Sequence, residues 1–128
     1  MQQAVNRRAI LVVDDEEFDR KLVQYALKPF DHAILEAKNA SDAIRVYEAN
    51  SAAIDLVITD VKMPGMNGVE LANELKMHQP ALKVLFMSGF STIKEIDPDL
   101  FIQKGFDLEQ LAQKVARALN LSLEDLRK

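Results

Sequence analysis

Five short apolar runs, separated by amphipathic stretches, most constrain how this 128-residue chain can fold. Such runs are typical of strands in a parallel sheet whose two faces are both covered by helices, because each strand is then buried on both sides. The alternation predicts an α/β fold with a doubly wound, five-stranded parallel sheet and helices on both faces. The predicted strands are Ala9–Val13, Ala33–Glu36, Leu56–Thr59, Val84–Met87 and Leu100–Ile102.

Apolar residues recur at helical spacing in the stretches that follow most of these strands. The last helix has the most regular pattern, and Asp107 stands where its side chain can cap the helix start. A chain of this length can bury a core without disulfides or a structural metal. We therefore expect a single domain over residues 1–128, with its core at about residues 8–120 and a C-terminal extension or linker root at residues 121–128.

Composition and charge exclude several classes of function. The chain has no cysteine, which rules out disulfides, thiolate metal sites and thiol catalysis. Its net charge is −4 and no Lys/Arg stripe is present, so direct binding of nucleic acid is not expected. The run Ala9–Val13 is too short for a signal-peptide core or a membrane span. We expect a cytoplasmic protein without direct membrane insertion.

Polar side chains follow the ends of four predicted strands. Asp14 and Asp15 follow the first strand, Asp60 the third and Ser88 the fourth, and the fifth strand runs into Lys104. Ligands of open parallel sheets bind outside the carboxyl ends of the strands, so we expect these side chains to converge. The first two acidic residues could instead cap a helix. The whole set, in matching strand order, favours a functional site.

Clustered carboxylates predict a metal site at this edge. Asp14, Asp15 and Asp60 would place like charges together, and a hard divalent cation with oxygen ligands offsets that repulsion. Mg²⁺ is the expected ion. The Asp60 carboxylate is also a competent nucleophile for a phosphoryl group, whose oxygens a metal, a lysine and a hydroxyl can stabilise.

Four segments of the chain resemble the receiver domains of two-component response regulators. They are Ile10–Glu16, Asp55–Gly68, Phe86–Gly89 and Phe101–Lys104, and the resemblance spans essentially the whole chain. The second segment, DLVITDVKMPGMNG, is the most specific, with strand, acceptor Asp, Met-Pro turn and helix-starting Gly at the family's spacing. The resemblance implies a flavodoxin-like receiver fold. It also implies a phosphoacceptor switch that catalyses only its own phosphorylation and dephosphorylation, and not an enzyme acting on other substrates.

The resemblance implies a metal role for four residues. Asp60 would be phosphorylated, and Asp15 and Asp60 would bind Mg²⁺ directly. Asp14 would contribute through water, and the backbone carbonyl of Lys62 would complete the protein ligands.

The resemblance also implies a switch. Lys104 would pair with the phosphoryl oxygens, and Ser88 would move to donate a hydrogen bond to them. Phe101 occupies the family's aromatic switch position and would swing inward with the Ser88 loop. Phosphorylation would thus bias a two-state element.

The third and fourth of these segments, extended toward the C-terminus, imply partners. FMSGF and FIQKGF are similar to receivers attached to hybrid histidine kinases, which implies a phosphorelay. The phosphoryl donor would be a sensor histidine kinase or a histidine phosphotransfer protein. Output would pass to a downstream protein target or a fused effector.

The chain departs from the receiver pattern at two places. Gly105 follows Lys104, where the family usually has a proline joined by a cis peptide. A cis bond before a residue other than proline costs about 2.5–4 kcal/mol, so a trans or mobile Lys104–Gly105 linkage is predicted. The second departure is the short segment Ser91–Asp99, which contains Pro98 and leaves little room for a helix. The fourth helix of the family is therefore expected to be short, irregular or missing.

Two other functions are left open. One is a receiver-like binding module that no longer switches, against which the intact set of site residues speaks. The other is a Mg²⁺-dependent phosphatase with an Asp nucleophile, similar to haloacid-dehalogenase-like enzymes. That family places a second Asp two residues after the nucleophile, where this chain has Lys62.

Overall fold

Five parallel strands form the central sheet, in the spatial order β2-β1-β3-β4-β5. The computed structural model describes residues 7–89 and 94–123. The predicted doubly wound α/β fold is confirmed. In the sheet, β2 lies on one side of β1 and β3 on the other. The strands are β1 (Ala9–Val13), β2 (Ala33–Ala37), β3 (Ile54–Asp60), β4 (Lys83–Ser88) and β5 (Phe101–Gln103).

Helices follow four of the strands, and three of them begin with a side-chain cap. Asn39 caps the second helix, Asn67 the third and Asp107 the fourth, each accepting a hydrogen bond from a backbone N–H of the first turn. Such caps satisfy donors that the helix itself cannot pair. The expected role of Asp107 is confirmed. The helices are α1 (Glu17–Ala26), α2 (Ala40–Asn50), α3 (Gly68–His78) and α4 (Leu108–Ala118).

The core lies on both faces of the sheet. Leu11 on β1 packs in one group with α2 and α3, to which Val46 and Leu71 contribute. Ile10, one position earlier, packs in the other group with α1 and α4, together with Leu111. Successive side chains of a strand point to opposite faces, so a strand covered on both sides is apolar throughout. This is the physical reason for the continuous apolar runs in the sequence.

The connection from β4 to β5 contains a 3₁₀ helix of three residues, Pro98–Leu100. Asp97 caps this turn by accepting a hydrogen bond from the Asp99 N–H. The prediction that the fifth strand starts at Leu100 is wrong by one residue, because Leu100 ends the 3₁₀ helix. Within the segment Ser91–Asp99, expected to be short or irregular, the described residues 94–99 form a turn and the start of this 3₁₀ helix. Residues 90–93, which include the start of the segment, lie outside the described ranges.

An ion-pair network holds the amino edge of the sheet, opposite the predicted site. Arg8 Nε donates a 2.8 Å hydrogen bond to Asp55 Oδ1, and His32 Nε2 lies 3.0 Å from Asp55 Oδ2. Arg8 also donates to the carbonyl of Ala52 at 2.8 Å. The Arg8 guanidinium holds the pKa of the Asp55 carboxyl below its usual value, although partial burial acts in the opposite direction. The network joins the chain ahead of β1 and β2 to the start of β3.

Asp55→Asn should lower the free energy of unfolding at neutral pH, because it removes the negative charge that is paired with Arg8. The expected loss is only about 1 kcal/mol, since solvent screens the exposed Arg8 partner. The pKa of Asp55 is lower in the folded state, so its contribution is complete above the ordinary Asp value of about 3.9 and disappears as pH falls through the folded value. Urea unfolding at pH 7 and pH 3 checks this. The exposed Glu48→Gln is the control, and a wild-type-like Asp55→Asn at pH 7 would contradict the prediction.

Candidate functional site

The register of the sheet brings the predicted site residues to one edge. Asp60 is paired with Met87 across β3 and β4, and Ser88 with Gln103 across β4 and β5. Asp14 directly follows β1, which is paired with β3. Since all five strands run in the same direction, their carboxyl ends share this edge, as the sequence predicts.

Three carboxylates form an acidic cluster at this edge. One oxygen each from Asp14, Asp15 and Asp60 lie within 4.8 Å of one another. Asp14 is fully buried and Asp60 is 6% exposed, whereas Asp15 is exposed. The N-cap position of α1 is occupied by Glu16, so capping of that helix does not account for the two preceding aspartates. The arrangement gathers negative charge where water has little access.

Asp14 has a buried carboxylate oxygen that accepts no hydrogen bond. Its Oδ1 accepts a 3.0 Å hydrogen bond from the Glu16 N–H. Its Oδ2 lies 3.1 Å from Lys104 Nζ, within ion-pair distance but without the alignment of a hydrogen bond. Burial raises the pKa of Asp14, against the opposing effects of these two contacts. A buried carboxylate oxygen without a hydrogen bond, close to the carboxylates of Asp15 and Asp60, fits a hard divalent cation such as Mg²⁺ or the water bound to it.

Lys104 is the cation of the site. Its Nζ lies 2.9 Å from Asp19 Oδ2, 3.0 Å from Asp60 Oδ2 and 3.1 Å from Asp14 Oδ2. Burial by itself would lower the pKa of Lys104, but the three carboxylates outweigh it and raise the pKa well above its usual value. The ammonium therefore stays charged and offsets part of the local negative charge.

The backbone around Lys104 agrees with one prediction and adds a contact. No described peptide bond is cis, so the Lys104–Gly105 linkage is trans as predicted, and Gly105 has a φ of +94°. The Lys104 N–H donates to the Ser88 carbonyl at 2.6 Å, which ties the ends of β4 and β5 together.

Asp19 is a site residue that sequence reasoning missed. It lies in the first turn of α1, where its position had only a helical interpretation. The available signal was its position four residues after Asp15, one helical turn from the predicted acidic cluster. Only the packing of α1 against β1 and α4 brings its carboxylate to Lys104.

The start of α3 packs against the end of β3 without any space for a side chain at Gly68. The Gly68 N–H donates to the Val61 carbonyl at 2.8 Å. A Cβ at Gly68 would lie 2.2 Å from the carbonyl oxygen of Asp60. Glycine is therefore required here by close approach of two backbones, which fixes the end of β3 against the helix.

Three other predicted residues take defined positions. Ser88 is 1% exposed at the sheet edge. Phe101 is buried with Phe86 and Ile96 in the core group on the α2 and α3 side, so its ring already points inward. The Lys62 residue is exposed in the loop after β3, and the role of its backbone carbonyl as a metal ligand stays a prediction.

Residues 10–116 match the profile of the response regulator receiver domain family. The chain belongs to this family. It is a receiver domain of two-component signalling, and the resemblance found in the sequence is confirmed. No helix within residues 7–89 and 94–123 is both long and apolar enough to cross a membrane.

Relatives of the receiver domain include parts of much longer proteins. The autoinducer 1 sensor kinase/phosphatase LuxN of Vibrio campbellii is 38% identical over 88 residues, which cover 69% of this chain and 10% of LuxN. The chain spans between 10% and 30% of the first curated relatives that it matches.

Solved receiver structures have the same fold. The receiver domain of the hybrid histidine kinase CckA is 32% identical with a TM-score of 0.74, over 87% of this chain and 98% of that one. The response regulator TrrA of Thermotoga maritima, crystallised with Mg²⁺-BeF, is also 32% identical, with a TM-score of 0.76 over 88% and 99% of the two chains.

Gly68→Ala should lower the free energy of unfolding by about 2 kcal/mol or more, because the new methyl group overlaps the Asp60 carbonyl and forces α3 away from β3. Thermal and urea unfolding measure the effect. Gly89→Ala is the matched control, since a Cβ there meets nothing within 4 Å. Equal stabilities of the two variants would contradict the close packing described for Gly68.

Proposed function

We propose that this receiver domain accepts a phosphoryl group on Asp60 with the help of Mg²⁺ and thereby switches its protein partners. The observation that carries the proposal is the meeting of buried Asp60 with two further carboxylates and the Lys104 ammonium. A nucleophilic carboxylate beside a fixed cation is suited to phosphoryl transfer, whose catalysis depends on positioning and charge stabilisation.

The acidic cluster would hold the metal. Asp14, Asp15 and Asp60 supply carboxylate oxygens, and the Lys62 carbonyl is proposed as a further ligand. When bound, Mg²⁺ would neutralise and orient the oxygens of the transferring phosphoryl group. Support comes from the buried Asp14 Oδ2, which accepts no hydrogen bond, and from the Mg²⁺-BeF complex of the TrrA relative.

The transfer itself uses Asp60 as nucleophile. A carboxylate oxygen attacks the phosphorus of a phosphohistidine, the new O–P bond forms as the P–N bond breaks, and the departing imidazole takes up a proton. Lys104 Nζ, 3.0 Å from Asp60 Oδ2, would pair with the phosphoryl oxygens. The Ser88 hydroxyl would donate a hydrogen bond to them.

The switch would run through the neighbouring strands. Ser88 and Phe101 lie on the paired strands β4 and β5, and the ring of Phe101 packs with Phe86, its partner in the register. A pull on Ser88 toward the phosphoryl group would change the packing of this ring and of the chain between the two strands. This is a local charge event that biases a two-state element.

The proposed phosphoryl donor is a sensor histidine kinase or a histidine phosphotransfer protein. LuxN and CckA, whose names mark them as kinases, support this choice. Output would pass to a downstream protein or a fused effector in the cytoplasm. We propose one receiver domain over residues 1–128, with its core at about residues 8–120, and no action as an enzyme on other substrates.

The two rival functions have less support. A phosphatase similar to haloacid dehalogenases needs an acid/base carboxylate where this chain has the exposed Lys62. A module that no longer switches would have no need to keep Asp60 and Lys104 paired beside two further aspartates.

Incubation with acetyl phosphate and Mg²⁺ should give a single phosphoryl adduct by intact-mass spectrometry, and Asp60→Asn should abolish it. The reason is that the amide of asparagine is a poor nucleophile of nearly the same shape. Asp42→Asn, on the surface of α2 beside Arg45, is the matched control and should keep the adduct. An adduct that persists in Asp60→Asn would place the acceptor elsewhere, and repeated turnover of phosphate esters would favour the phosphatase.

Addition of Mg²⁺ should raise the melting temperature, since a ligand that binds only the folded state at 100 times its Kd adds about 2.7 kcal/mol to the free energy of unfolding. Asp15→Asn should reduce this increase, because the exposed Asp15 carboxylate belongs to the proposed ligands. Glu17→Gln removes a nearby exposed charge and should leave the increase intact. Equal shifts in all three proteins would exclude Asp15 as a ligand.

A further inference from the structure

Asp19 lies at the site but outside the proposed metal cluster. Within the described residues, the carboxylates close enough to share a cation are Asp14, Asp15 and Asp60. Asp19 instead accepts a 2.9 Å hydrogen bond from Lys104 Nζ, and this bond joins residues 85 positions apart in the chain. The Asp19 side chain is 30% exposed, so it lies at the rim of the site, outside the buried carboxylates of Asp14 and Asp60.

The Lys104 side chain depends on such a contact for its orientation. Lysine carries a point charge on a flexible four-carbon stem, which has no preferred direction of its own. Lys104 follows a strand of only three residues and precedes Gly105, whose φ of +94° is a conformation that favours glycine. The backbone therefore places the stem, and the carboxylates place the ammonium.

Asp19 is itself held in place by its neighbour. Arg20 donates from Nη1 to the Asp14 carbonyl at 2.8 Å and from Nε to Glu36 Oε1 at 3.0 Å. The Arg20 side chain is only 15% exposed, so these bonds anchor the first turn of α1 to the ends of β1 and β2. The helical turn that carries the Asp19 side chain is thus fixed to the sheet.

The three contacts of Lys104 would respond differently to a cation in the acidic cluster and to a phosphoryl group on Asp60. A cation in the cluster would compete with the ammonium for the oxygens of Asp14 and Asp60, and a phosphoryl group would occupy an oxygen of Asp60. Asp19 has neither competitor. It would keep one of the three N–H donors of Lys104 and leave two for phosphoryl oxygens.

We infer that Asp19 is a positioning residue, which holds the Lys104 ammonium beside Asp60 so that it meets the incoming phosphoryl group already oriented. The inference rests on the proposed function and adds to it a residue on α1. Preorientation of a charged donor contributes to rate because the donor need not reorganise during the transfer.

The test measures the rate of Asp60 phosphorylation by acetyl phosphate at saturating Mg²⁺. Asp19→Ala should lower the rate constant at saturating donor about tenfold, as expected for one lost charged hydrogen bond, with little change in the donor concentration at half-maximal rate. Asp19→Asn keeps an acceptor oxygen and should recover part of the rate. Glu17→Ala removes a charge from the same helical turn and should match wild type.

A double-mutant cycle shows whether Asp19 acts through the lysine. In a Lys104→Ala background, Asp19→Ala should change the already reduced rate by less than about twofold, because the partner is gone. An undiminished tenfold effect in that background would overturn the inference, since Asp19 would then act independently of Lys104.

A second readout does not depend on phosphorylation. NMR relaxation of the Lys104 Cε methylene, in the Mg²⁺-free protein, reports how far the ammonium is restrained. Asp19→Ala should make this group more mobile, whereas Glu17→Ala should not. A purely structural role of Asp19 would change stability without this local effect.

The outcomes separate the two proposals. If wild type and Asp19→Ala are phosphorylated at the same rate and Lys104 is equally mobile in both, the role of Asp19 is overturned and the proposed function stays in place. A wild-type chain that accepts no phosphoryl group would overturn the proposed function, and the inference with it. Circular dichroism of each variant establishes that the compared proteins are folded. If Asp19→Ala does not fold, Asp19→Asn replaces it in the comparison.

Discussion

The ammonium of Lys104 lies within 3.1 Å of carboxylate oxygens from Asp14, Asp60 and Asp19, and it joins the ends of β1, β3, β5 and the start of α1. Burying carboxylates beside one another costs free energy unless an opposite charge compensates them. One lysine among three contacting aspartates, with Asp15 nearby, leaves the edge negative. That residual charge is what a divalent cation can neutralise.

The remainder of the fold keeps these charges together. Apolar side chains on both faces of the sheet fix the strands against the four helices of the described residues, so the strand ends cannot separate to relieve repulsion. Gly68 lets α3 approach the backbone of Asp60, and Arg20 anchors α1. At the opposite edge, the charges of Arg8 and Asp55 are paired. The sheet thus has one edge where opposite charges are paired and one where negative charge is in excess.

Sequence reasoning succeeded where a residue's environment follows from its neighbours in the chain. The strands could be predicted because burial on both faces requires uninterrupted apolar runs. The helix start at Asp107 could be predicted because capping is a local interaction. The start of β5 was predicted one residue early, because the apolar character of Leu100 does not reveal the 3₁₀ turn that Asp97 and Pro98 impose. Local apolarity indicates burial more reliably than it indicates conformation.

The sequence by itself determined the fold class, the edge at which the site lies and the residues at four strand ends, since parallel strands with polar termini leave little choice of arrangement. Only the tertiary structure decided that Asp19, on a helix, also contacts Lys104. It alone decided that Phe101 is buried and that one oxygen of Asp14 has no hydrogen bond. Contacts between residues far apart in the chain depend on how helices pack on the sheet, and periodicity carries no information about that packing.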